Sequence, residues 1–158
     1  MSLKYVSRIL AVICLLTCCE GTAAAAETAL PNGLVIDLLP GYAQQKLQGI
    51  DSVVGKFVKK DGPEISYEIG GYIPPGQPRF GGSYTDYAKN MPADGRLWLK
   101  ELTVGGRQIS VAYGKDQRIV VSTHFEKVGI NFSATAKTPE EIADVLLMTM
   151  TIAEQAKK

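Results

Sequence analysis

Leu97-Trp98-Leu99-Lys100-Glu101-Leu102-Thr103-Val104 runs into Gly105-Gly106, and three more apolar-rich runs follow at 107–113, 118–125 and 128–136. The turns between them are short: Gly105-Gly106, then Gly114-Lys115-Asp116-Gln117, then Glu126-Lys127. Turns of this length bring consecutive strands together antiparallel, because a parallel connection needs a crossover of a dozen or more residues. Within the runs Ile109, Val111 and Tyr113 point one way, as do Ile119, Val121 and Phe125, and then Ile130, Phe132 and Ala134. Alternation of this kind gives each strand one buried and one wet face.

Downstream, Thr138-Pro139-Glu140-Glu141 opens a helix. Thr138 caps it, Pro139 suits its first turn, and Glu141 completes a capping box at the positive end of the helix dipole. Ile142, Val145, Leu146, Thr149, Ile152 and Ala153 share the face predicted to lie on the sheet, and Lys157 and Lys158 suit the negative end. Leu147 and Met150 fall outside that stripe, which predicts either a loop over them or a homodimer contact.

Upstream, 34–39 reads as a strand stopped by Pro40-Gly41. The runs 53–60 and 64–69 flank Asp61-Gly62, a hairpin signal in which the glycine takes the positive φ. The predicted fold is therefore α+β: an antiparallel sheet of about six or seven strands ending in a meander, with a C-terminal amphipathic helix packed on one face.

The first 26 residues read as an address rather than as fold. Lys4 and Arg8 precede an apolar run at 9–16, and Ala23-Ala24-Ala25-Ala26 precedes Glu27. A charged start, a short apolar run and small residues make a secretory signal peptide cleaved near Ala26. The apolar run spans only about 12 Å as a helix, too short to cross a bilayer core of about 30 Å. The alternative is a lipid anchor: Leu15-Leu16-Thr17-Cys18 resembles a lipobox, although Thr17 is a poor match, and acylation of Cys18 would tether the domain to a membrane.

Residues 27–158 are thus read as a single domain in the periplasm or outside the cell. Removing the leader takes away Cys14, Cys18 and Cys19, all the cysteines of the chain, and leaves acidic and basic residues in equal number. That excludes disulfides, a thiolate nucleophile and cysteine metal ligation. The balanced charge gives no field to attract nucleic acid.

The segment 70–95 stands apart. It holds Tyr72, Phe80, Tyr84 and Tyr87, four prolines and Arg79. Irregular stretches of this length are uncommon in compact domains and are frequently functional. Tyr72, Arg79, Phe80, Tyr84 and Tyr87 are therefore the candidate binding residues, since Tyr and Arg make good contact surfaces. The structural alternative is an Ω-loop whose aromatics pack on its own sheet.

Chemistry-bearing motifs are few. There is no phosphate-binding loop, dinucleotide fingerprint, H-E-x-x-H or EF-hand pattern, so no cofactor or metal is expected. His124 is the lone histidine and is read as a surface residue; a hydrolase would need it beside Ser122, Ser83 or Ser133. No G-x-S-x-G elbow supports that arrangement. Glu64, Glu68 and Glu101 are candidates for a carboxylate pair across strands. Asn131-Phe132-Ser133 fits a glycosylation sequon on the outward strand face, but no modification is expected.

A signal peptide, an antiparallel meander, and Asn131-Phe132-Ser133-Ala134-Thr135-Ala136-Lys137 leading into Thr138-Pro139-Glu140-Glu141 together resemble the ending of PsbP-like exported domains. The resemblance covers roughly residues 97–156 and implies an antiparallel sheet with helices packed on it. Some members of that family assist assembly of photosynthetic complexes, but no residue of a family site matches here. The expected function is a small, exported, non-enzymatic module that binds an unidentified protein or small molecule through the 70–95 loop. A His124 hydrolase and a Cys18-anchored envelope component are the alternatives.

Overall fold

The computed structural model describes residues 25–50, 52–78 and 81–155. The leader through Ala24, with its three cysteines, lies outside the described residues, as do Arg79 and Phe80.

The strands are β1 (Ala26–Leu30), β2 (Leu34–Leu38), β3 (Ala43–Lys46), β4 (Val53–Val58), β5 (Ile65–Gly71), β6 (Arg96–Val104), β7 (Arg107–Gly114), β8 (Arg118–His124), β9 (Val128–Thr135) and β10 (Ala153–Glu154). Two helices join them: short α1 (Tyr87–Asn90) and α2 (Pro139–Met150). Seven strands form one antiparallel sheet in the order β3-β4-β5-β9-β8-β7-β6, and a small sheet takes the order β1-β2-β10. The single sheet of about six or seven strands is therefore corrected, among the described residues, to ten strands in two sheets. β1, β3 and β10 carry no readable alternation: β3 is Ala-Gln-Gln-Lys at a polar edge, and β10 has two residues.

The meander β6–β9 forms as its spacing predicts. Gly105 and Gly106 both take positive φ, 57° and 79°, which suits a two-residue hairpin turn. In the β4–β5 turn the left-handed residue is Asp61 (φ 60°), not the glycine after it. Asp tolerates that region better than most side chains do. One long-range ladder makes the two halves a single sheet: β5 pairs with β9 from Ser66↔Ser133 to Gly71↔Val128.

One face of the large sheet packs on β2 and α2. Ile65, Tyr67, Ile69, Ile109, Val111, Ile119, Val121, Ile130 and Phe132 meet Leu34, Ile36, Val145 and Met148 there. Thr138 caps α2 with the full capping box, as its sequence predicts. The helix stops at Met150, short of Ile152 and Ala153, which the predicted helical face included. The Thr151 hydroxyl accepts from the Asp37 amide at 2.9 Å and donates back to the Met148 carbonyl at 2.7 Å. Chain leaving this stop pairs with β2 as β10, burying Ile152 while Ala153 joins the strand. Among the described residues no loop covers Leu147, which stays exposed, whereas Met150 is half-buried against the core.

Arg107 holds the end of α2 in place. Its guanidinium donates to the carbonyls of Ile152 and Met150 and lies 5.0 Å from the Phe125 ring centroid. A cation at a helix C-terminus satisfies orphan carbonyls and offsets the dipole. Arg107→Met keeps the stem but removes the donors. It is expected to lower stability by about 1.5–3 kcal/mol in urea denaturation, the range for hydrogen bonds to a charged group.

Candidate functional site

After β5 the chain leaves the sheet and then folds back across its outer face. Gly71 forms a parallel bridge with Ser83, and the Tyr84 amide donates to the Gly71 carbonyl at 2.8 Å. Asp86 then caps α1 by accepting from the Lys89 amide at 2.9 Å, and its second oxygen accepts from the Ser110 hydroxyl at 2.8 Å. Ala88 and Met91 pack on Ala112, Val120 and Leu99, making a second, smaller core on this face.

Asn131 is the anchor of the returning segment. It lies on the outward face of β9, as the strand pattern predicts, yet the loop buries it. Its Oδ1 accepts from the Ser122 hydroxyl at 2.6 Å and from the Tyr87 amide at 3.3 Å, and its Nδ2 donates to the Thr85 carbonyl at 2.9 Å. Ser122 in turn accepts from the Ala88 amide at 3.0 Å. Two short side chains on neighbouring strands thus satisfy the backbone of 85–88, which otherwise has no ladder partner. The sequon asparagine is occupied in the folded protein.

An aromatic group closes the other end of the segment. The Tyr72 ring stacks on the His124 imidazole at 3.9 Å and 3°, and Tyr84 tilts against both at 6.1 Å. His124 is consequently half-buried beneath a tyrosine, not the free surface residue that its sequence suggests. Tyr84 fits only because position 129 is glycine: a Cβ there would lie 2.1 Å from the Tyr84 ring. Burial pushes the Tyr84 phenol far above its ordinary value, and Asp86 adds to this. Its hydroxyl sits beside Ser122 but has no hydrogen-bond partner among the described residues.

The candidate residues therefore divide. Tyr84 is buried, Tyr72 is half-buried on His124, and Tyr87 is exposed, with its hydroxyl donating to Glu68 at 2.9 Å. That bond, then burial, raises the Tyr87 phenol. Of the proposed carboxylates, Glu64 pairs with Lys56 at 2.6 Å, Glu68 holds Tyr87, and Glu101 pairs with Lys89 at 3.0 Å. Glu101 lies four strand spacings from β5, about 19 Å away, too far for joint action on one bond. Sequence reasoning missed Asn131 as the anchor. Its only signal was a polar residue on a face assumed to be wet.

No protein-family model and no curated protein matches the sequence. Among solved structures, the chain is similar to cyanobacterial PsbP (CyanoP) from Synechocystis sp. PCC 6803, with a TM-score of 0.58 and 13% identity. The match covers 89% of this chain and 99% of that one. The architecture is PsbP-like. At this identity the likeness concerns the fold, and it extends well upstream of the 97–156 stretch that carries the resemblance in sequence.

Two outcomes follow from the anchored segment. Asn131→Ala leaves the Thr85 carbonyl and Tyr87 amide unpaired; it is expected to cost about 2–4 kcal/mol and to abolish hydrogen-exchange protection at Tyr87 and Ala88. Tyr84→Phe removes a buried unpaired hydroxyl, so the melting temperature at neutral pH should hold or rise. Because the folded-state value for Tyr84 is raised, its contribution is complete below the ordinary tyrosine value of 10.0 and is lost as pH climbs past it. Alkaline unfolding followed by circular dichroism should therefore be blunted in the phenylalanine variant.

Proposed function

We propose that the protein is an exported, non-enzymatic binding module that engages a protein or small-molecule partner through the 70–95 loop. The observation that carries this reading is the way the loop is held. Buried Asn131, Ser122 and Ser110 fix its returning arm, while Tyr87 and the Ile73-Pro74-Pro75 tip stay at the surface. A loop ordered in advance loses little conformational entropy on binding. Tyr72 and Tyr87 are the described contact residues, with Arg79 and Phe80 on the same loop; Tyr84 serves by positioning them. Ser122 is buried in the Asn131 network, His124 is stacked under Tyr72, and Ser133 lies along β9 four residues from Gly129, the register partner of His124.

A photocrosslinking residue at Ile73, expressed in the native host, is expected to yield one discrete adduct. Tyr87→Ser combined with Pro75→Asp should abolish that adduct while leaving the thermal transition unchanged. An adduct of equal yield in the variant would show that the loop is not the contact surface. Mass spectrometry of the native protein should give a chain beginning at Glu27; an intact leader would overturn export.

A further inference from the structure

The loop covers only part of the outer sheet face. Beyond Tyr87, towards the other ends of β5 and β9, no described segment crosses the face, and Ser66 and Ser133 are half-buried there. The register sets Lys56, Ser66 and Ser133 side by side across β4, β5 and β9, with Thr135 and Arg118 paired in the next row. A shallow depression of about 280 Å³ lies there, lined by Glu64, Ser66, Arg118, Ser133, Ala134 and Thr135. Its charges are already matched: Lys56 with Glu64 at 2.6 Å, and Arg118 with Asp116 at 3.6 Å. Tyr87, 43% exposed, stands at the border with its hydroxyl on Glu68, one strand step of about 6.7 Å from Ser66.

We propose that this depression is a binding site for a neutral, polyhydroxylated ligand, an oligosaccharide chain. The hydroxyls of Ser66, Ser133 and Thr135 both donate and accept, as sugar hydroxyls do, and none of them has a hydrogen-bond partner among the described residues. Arg118 keeps donors besides the Nε that faces Asp116, and Glu64 keeps the carboxylate oxygen that Lys56 does not take, so each offers a further contact to a sugar hydroxyl. Tyr87 offers an aromatic face at one end. Paired charges give an anion or a polycation nothing to neutralise, and the floor has no large apolar side chain to hold a lipid. The proposal rests on the reading of the chain as a binding module and shares Tyr87 with it, but Ser66, Ser133 and Thr135 have no part in the loop contact.

The test is an amide chemical-shift titration of the isotope-labelled mature chain with chitotetraose and with cellopentaose, each to about 10 mM, which reaches the weak affinities expected of a shallow site. Shifts are expected at Ser66, Ser133 and Thr135 with at least one sugar. Ser66→Val with Ser133→Val keeps strand propensity on an outward face, so the fold should hold while affinity falls about tenfold or more. Absence of shifts with both sugars, equal binding by the variant, or shifts confined to 72–78 would overturn the site. The same residues responding to inorganic phosphate but to neither sugar would overturn the ligand class. Retention of the Ile73 adduct in the Ser66/Ser133 variant keeps the two readings separable.

Discussion

A single buried amide, that of Asn131, governs how the outer face of this protein is organised. An unpaired polar group in a buried setting costs more than a made hydrogen bond contributes, so a side chain that satisfies two backbone groups and a serine at once constrains everything around it. Its place on β9 is in turn set by the β5–β9 ladder, the long-range pairing that joins the two halves of the large sheet. Because Asn131 fixes Thr85 and Tyr87, the Asp86 cap, α1 and the small core around Met91 have one position on the sheet. The aromatic stack of Tyr72, His124 and Tyr84 closes the opposite end of the same arm.

Much of the architecture was legible before any coordinates. The meander follows from two-period alternation and short turns, and the helix start from Thr138-Pro139-Glu140-Glu141; both rest on local chemistry. What escaped depends on distant partners. β3 and β10 are strands only because β4 and β2 offer edges to them, and α2 ends at Thr151 because a hydroxyl reaches Asp37. A periodic pattern alone continued the helix to Ala153. His124 and Asn131 were misjudged for a common reason: alternation tells which face a residue occupies but not whether a returning loop later covers that face.

The same distinction organises the functional reading. On the covered part of the outer face, residues of catalytic type serve as structural groups, with Ser122 as a hydrogen-bond relay and His124 as a stacking surface. On the bare part, short hydroxyl side chains remain available. Tyr87 marks the boundary, its amide held by the buried network and its hydroxyl reaching Glu68 at the surface. Likeness to cyanobacterial PsbP extends over nearly the whole of both chains, so this division of labour is laid on a shared framework with very little shared sequence.

The small sheet joins segments that lie far apart along the chain. β2 comes from the first described residues and β10 from the last, joined at Val35↔Ala153 and by the Gln155 amide on the Gly33 carbonyl at 2.7 Å. Leu34 and Ile36 share one buried cluster with Met148 and Ile152, so this part of the core closes only when segments more than a hundred residues apart have met. Closing so long a loop is entropically slow compared with zipping the local turns of the β6–β9 meander, which sets a non-local step in the folding of an otherwise locally paired sheet.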